Sequence, residues 1–159
     1  MTHRLTTWVL QGLLGLAVLV ILFLQVIGLP WLGGETARDL PAEAYMRWPI
    51  TILAIIGLAF VQVGIVGTIR LLALTRTERI FTPRALPWVD AIIAAFVGGA
   101  LTCAATLAYQ ATTVAGPPLW SLMLLAGTVA GLGLALLMLV MRGLLTRATA
   151  LRDEMDAVI

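Results

Sequence analysis

Charge is scarce in this sequence. Only 11% of its 159 residues are charged while 61% are hydrophobic, and the mean hydropathy is +1.05. A soluble fold of this length cannot cover so much apolar surface, so lipid has to solvate most of the chain. Lysine is absent, and all ten basic residues are arginines. They are few, close to apolar runs and interleaved with acids, which excludes direct nucleic-acid binding. A single cysteine, Cys103, excludes an intrachain disulfide, and its apolar surroundings predict a buried, inert thiol. The one histidine, His3, lies at the chain end, which excludes bis-His haem ligation and a histidine-based metal site. No P-loop, Gly-x-Ser-x-Gly turn or intramembrane carboxylate pair is written into the chain. No catalytic, metal or cofactor site is expected, and the protein is not read as an enzyme.

What the chain does have is long apolar runs. The first, Leu5 to Leu32, is uncharged and well beyond the ~7–15 residues of a signal-peptide core, and no A-x-A-like site follows it. Hydrocarbon needs about 20 apolar residues per span. On that measure the expected helices cover about 8–30, 48–74, 83–113 and 119–142, followed by a tail at 143–159, in one integral membrane domain. Gly33-Gly34 is expected to break the first helix, and Pro41 to Tyr45 to form one amphipathic surface turn. Thr82 followed by Pro83 reads as an N-cap and first helical position for the third helix. The Gly-Pro-Pro118 turn is the strong breaker inside the last apolar block. The fold class is therefore all-α: a four-transmembrane-helix bundle of two hairpins with an amphipathic cytosolic C-terminal helix.

Arginine placement orients it. Arg4, Arg70, Arg76, Arg79, Arg84, Arg142, Arg147 and Arg152 fall on one side of this topology, against Arg38 and Arg47 on the other. Positive charge in short loops stays cytoplasmic, so both ends and the loop at 75–90 are expected in the cytosol of a cell inner (plasma) membrane. Trp8, Trp31, Trp48, Trp88 and Trp120 all fall at the ends of the expected spans, where amphipathic rings settle among headgroups.

Among polar residues in the spans, Asp90 stands out. A carboxylate at mid-membrane costs roughly 2.5–3.5 kcal/mol on insertion scales, and is normally paired or functional. Asp90 is expected to be shallow and salt-bridged to a loop arginine, Arg84 or Arg70. By depth, Gln25, Tyr109 and Gln110 fall in the outer half, where interhelical hydrogen bonds are the commoner expectation and convergence on a small pocket the alternative. Gly127-Thr-Val-Ala-Gly131, with the pairs Ala94/Gly98 and Ala95/Gly99, should let the last two spans approach closely. In the tail, Leu144, Leu145, Ala148, Leu151, Met155 and Val158 recur at helical spacing, and one unbroken helix is expected through them. Its acids, Asp153, Glu154 and Asp156, are expected to face Arg76, Arg79 and Arg84, in the same chain or in a second copy.

Two stretches, Arg79-Ile-Phe-Thr-Pro-Arg-Ala-Leu-Pro-Trp-Val-Asp90 and Leu145-Thr-Arg-Ala-Thr-Ala-Leu-Arg-Asp-Glu-Met-Asp-Ala-Val-Ile159, carry a resemblance. With the spans between them they resemble an uncharacterised family of small four-span bacterial membrane proteins, the domain of unknown function 2975. The resemblance implies no activity, cofactor or site residues. It implies one partner, a small Cro/CI-like helix-turn-helix regulator. Two functions remain open. One is a membrane regulatory or interaction protein, monomeric or homo-oligomeric, whose loop 75–90 and tail dock that or another cytosolic protein. The other is a small transporter or channel subunit with Asp90 on the path. Reporter fusions after Arg38 and Pro117 should read as extracytoplasmic and fusions at Arg79 and Ile159 as cytosolic; an extracytoplasmic C-terminus would overturn the topology.

Overall fold

The computed structural model describes residues 2–76, 84–113 and 117–158, excepting the side chains of 2–5, 75, 76, 152, 153 and 156–158. Among the described residues there is no strand, and four helical stretches are long and apolar enough to cross a membrane: Thr6–Asp39, Pro41–Leu74, Leu86–Thr113 and Pro118–Leu151. Helix α1 spans Thr2–Phe23, passes through a π-helical turn at Leu24–Gly28, and continues as α2, Leu29–Asp39. A 3-10 turn, Pro41–Met46, leads into α3, Arg47–Arg76, followed by α4, Leu86–Thr113, and α5, Pro118–Val158.

Three boundaries have visible causes. Gly33-Gly34 does not break the first helix, which runs on to Asp39. Pro30 is accommodated by the π turn before it, where the Leu29 N–H donates to the Leu24 carbonyl five residues back. That wider turn takes up the ring that would clash in an α-helix. The glycines serve closeness instead. A Cβ on Gly33 would lie 2.8 Å from Thr51 Oγ1, and one on Gly34 3.4 Å from Arg47 Nη2. Helix α4 begins at Leu86, not Pro83, with Arg84 and Ala85 in a turn and the Ala85 carbonyl accepting from Trp88 and Val89. Pro87 explains the shift: in a helix begun at Pro83 it would lie past the first turn, where its ring meets the carbonyl four residues back. At Leu86 it falls in the tolerant first turn. The Thr82 cap itself lies outside the described residues. Helix α5 starts on Pro118, and the Pro117 carbonyl accepts from Trp120 and Ser121.

The helices pack as a row rather than a ring. Helix α4 packs extensively on both α3 and α5, whereas α1 and α2 rest on α3. Small residues make those contacts. Along the α3–α4 seam a Cβ on Gly57 would meet Thr102, one on Gly64 would meet Ala95, and one on Gly67 would meet Ile92. Gly98 lies under the Phe60 ring, so its small-residue pair serves α3 and not α5. Along the α4–α5 seam Gly127 meets Cys103, and Gly131 meets Ala100 and the Phe96 carbonyl. In each seam the partners step in opposite directions, so neighbouring spans are antiparallel. The buried residues accordingly concentrate on α4: Val89, Ile92, Ala95, Gly98, Ala100, Thr102 and Thr106.

Helix α1 is attached by two glutamines reaching in opposite directions. Gln25 donates to the Ile55 carbonyl at 3.0 Å, and Gln62 of α3 donates to the Val18 carbonyl at 3.3 Å. Gln25 thus makes an interhelical hydrogen bond, the commoner of its two expected fates, and does not line an outer pocket. The openness of the row shows in its surface. The chain exposes 10789 Å², against roughly 7,700 Å² for a compact soluble protein of its 17.0 kDa.

Gly131 and Gly133 make a matched test. A methyl at Gly131 would sit 2.9 Å from Ala100 Cβ and 3.2 Å from a backbone carbonyl, whereas nothing lies within 4 Å of one at Gly133. Gly131→Ala should destabilise the protein in detergent by about 1–3 kcal/mol, the range for overpacking. Gly133→Ala should be neutral or stabilising by up to about 1 kcal/mol through helix propensity. Thermal unfolding of both variants checks the α4–α5 seam.

Candidate interaction site

Residues two apart on a helix point about 200° apart. Trp88 and Asp90, near the start of α4, therefore reach to opposite neighbours. The Arg70 guanidinium of α3 lies over the Trp88 ring at 5.4 Å, a cation–π contact. On the other side Asp90 is held by Arg142 of α5, which donates from Nε to Oδ1 and from Nη2 to Oδ2, the latter at 3.2 Å. Both oxygens are engaged by a planar fork, a geometry that fixes direction as well as distance. One end of α4 is thus fastened to both of its neighbours.

This corrects the expected partner of Asp90, which is Arg142 and not Arg84 or Arg70. The signal was present in the chain: Asp90 and Arg142 are each 26 residues from Gly116, which falls between α4 and α5 in the sequence. Reflecting an antiparallel hairpin through its turn brings them level. With about half of each side chain exposed, 49% for Asp90 and 42% for Arg142, the pair adds little stability by itself. Its weight lies in setting the register and azimuth of α5.

The other site residues are placed as follows. Arg84 is exposed in the turn before α4, and Arg70 is exposed on its tryptophan. Arg79, and the side chains of Arg76, Asp153 and Asp156, lie outside the described residues, and with them the expected facing of tail acids and loop arginines. Glu154 is exposed.

Beyond Arg142, α5 continues without a break to Val158, 41 residues in one helix. The tail's apolar stripe divides there. Thr149 is buried and Leu145 half-buried on the side of α5 that also carries Arg142. At 100° per residue, Leu144, Leu151 and Met155 share a different edge, and they are 55%, 61% and 65% exposed. None of the described residues covers that edge.

Two hollows complete the geometry. Because α3 and α5 both pack extensively on α4 and not on each other to any comparable extent, a trough of about 670 Å³ lies over α4, lined among others by Gly57, Phe60, Gly99, Cys103 and Gly131. Cys103 is half-buried there rather than fully enclosed. The trough's threonines are turned back onto their own helices: Thr68 donates to Gly64, Thr102 to Gly98 and Thr106 to Thr102. At the opposite end a cavity of about 230 Å³ is lined by Thr36, Glu43, Met46, Arg47, Thr51 and Gln110. Arg47 donates to the Pro30 carbonyl at 3.4 Å and lies 5.0 Å over Trp48. Of the three residues expected in the outer half, Gln110 alone lines this cavity, and its buried Oε1 accepts no hydrogen bond. No group of three His, Cys, Asp or Glu able to hold a metal occurs among the described residues.

The model of a family described as "Protein of unknown function (DUF2975)" matches residues 31–159. The chain belongs to that family. The match starts at Trp31, after α1, and takes in α3, α4, α5 and the Asp90–Arg142 pair. No curated protein and no solved structure matches the chain.

A double-mutant cycle tests the clamp. Asp90→Asn and Arg142→Gln should each lower the thermal midpoint, and the double variant should lose no more than the worse single. Additive losses would show that the two side chains do not act on one another.

Proposed function

We propose that this multi-pass membrane protein is a regulatory or interaction protein of the cell inner membrane. Its two ends face the cytosol, and loop 75–90 with tail 143–159 docks a cytosolic protein. The carrying observation is the exposed apolar edge of α5 beyond the Asp90–Arg142 clamp, a surface rigid by helix continuity and uncovered among the described residues. Large apolar side chains left in water cost about 25 cal/mol per Å², and exposed apolar patches of this kind mark interaction sites. The family resemblance points to a small helix-turn-helix regulator as the partner.

A conducting path through Asp90 draws less support. The carboxylate is occupied by Arg142, and the hydroxyls facing the trough are bonded to their own backbones. The full-length protein in detergent should co-purify with a small helix-turn-helix regulator of the kind the resemblance implies, and deletion of 143–159 should abolish recovery. Undiminished recovery without the tail, or none with it, would overturn the reading.

A further inference from the structure

The exposed edge of α5 has a period. Leu137, Leu144 and Leu151 recur every seventh residue, and Met141, Ala148 and Met155 recur with the same spacing four residues on. Leu137 and Met141 are 57% and 53% exposed, so the stripe is continuous from the apolar span into the tail. A seven-residue apolar repeat is the seam of a coiled coil.

Lipid cannot cover all of it. With Trp120 at one headgroup layer, about 30 Å of hydrocarbon at a tilt near 20° takes up roughly 21 residues of α5. The hydrocarbon edge then falls near Met141, beside the Asp90–Arg142 clamp. Leu151 and Met155 lie about 14 and 20 Å beyond it, past the roughly 5–7 Å of headgroups. Neither lipid nor the described residues of this chain cover them.

Charge selects among proteins. Arg147 is exposed beside the seam, and Arg152 takes the flanking position on its other side by sequence. Two copies in one membrane run parallel, and parallel pairing sets the flanking residue of one helix against the residue five positions on in the other. That would oppose Arg147 to Arg152 of the other copy twice over. An acidic partner meets Arg147 and Arg152 with attraction and one like charge at Glu154, which is exposed a heptad after Arg147 on the same flank.

We propose that the α5 edge from Leu144 to Met155 is a docking seam for an amphipathic helix of a cytosolic protein that carries acidic residues beside its apolar stripe. The inference rests on the interaction reading above and narrows it to one face and one partner chemistry. The helix lies alongside α5, its apolar residues between Leu144, Ala148, Leu151 and Met155, its carboxylates on Arg147 and Arg152. These are charge-assisted contacts around a desolvated core, which favour one orientation and weaken with salt.

The test uses the full-length protein in nanodiscs and two synthetic three-heptad helices. Both carry leucine at the seam positions, one with glutamate and one with lysine at the flanks. The acidic helix should bind at least tenfold more tightly; Leu151→Ser should reduce that binding at least tenfold, and Arg147→Glu should remove the preference. Equal or tighter binding of the basic helix, or no binding of either, overturns the proposal. Efficient disulfide linkage between copies through Leu151→Cys, in a Cys103→Ser background, also overturns it by making a second copy the occupant. Co-purification of the regulator is independent of these outcomes, so the broader reading stands or falls on its own.

Discussion

Inside a bilayer no hydrophobic force presses one helix against another, because lipid tails are as apolar as leucine; what holds helices there is how closely their backbones approach. In this chain that closeness is concentrated on α4. Ala95 and Gly98 receive α3 on one side, while Ala100 and Cys103 receive Gly131 and Gly127 of α5 on the other. Everything else about the arrangement follows from one helix being narrow on two faces. Helices α3 and α5 each find their extensive contact on α4 rather than on each other, which leaves the trough between them. Burial is accordingly highest in α4, and α1 is left at the margin.

Polar groups then do what apolar packing cannot, which is to choose a level and a direction. Gln25 and Gln62 tie α1 to α3 at two heights, so α1 cannot slide without breaking both bonds. Trp88 and Asp90 fasten α4 to α3 and α5 at one end. The second of these contacts has the longer reach. Helix α5 does not end at the clamp but runs sixteen residues past Arg142, from Gly143 to Val158, so the azimuth set by one ion pair determines which edge of the tail faces outward. At the opposite end, Arg47 and the unpaired Gln110 amide line a smaller hollow. Both ends of the bundle therefore carry polar structure, while the middle is almost wholly apolar.

The family match sharpens the meaning of this layout. It starts at Trp31 and includes the three helices that pack most closely, together with the loop and the tail. Helix α1 lies before it, and it is also the helix held by two amide bonds and light contact rather than by a small-residue seam. The unit described by the family is the α4-centred row with its clamp and its projecting helix.

Composition and periodicity alone determined the membrane class, the four apolar helices and the unbroken tail, because lipid imposes length and hydropathy on every span separately. Those constraints act residue by residue along one chain and need no neighbour to be read. The glycines were different. Gly33-Gly34 is a helix breaker by propensity and a contact surface in place, since Thr51 and Arg47 lie against it only once α2 folds back on α3. Pro30 and Pro87 carried their local meaning in the sequence, but the π turn and the start at Leu86 depended on which backbone bonds each ring removes. Asp90 was legible as a paired carboxylate, and its partner was not, because nearness along the chain favours Arg84 whereas the antiparallel hairpin brings up Arg142. Which edge of the tail lies open was likewise decided only by tertiary structure: Leu144 and Leu145 are adjacent in sequence, and the face that Arg142 turns toward α4 separates them.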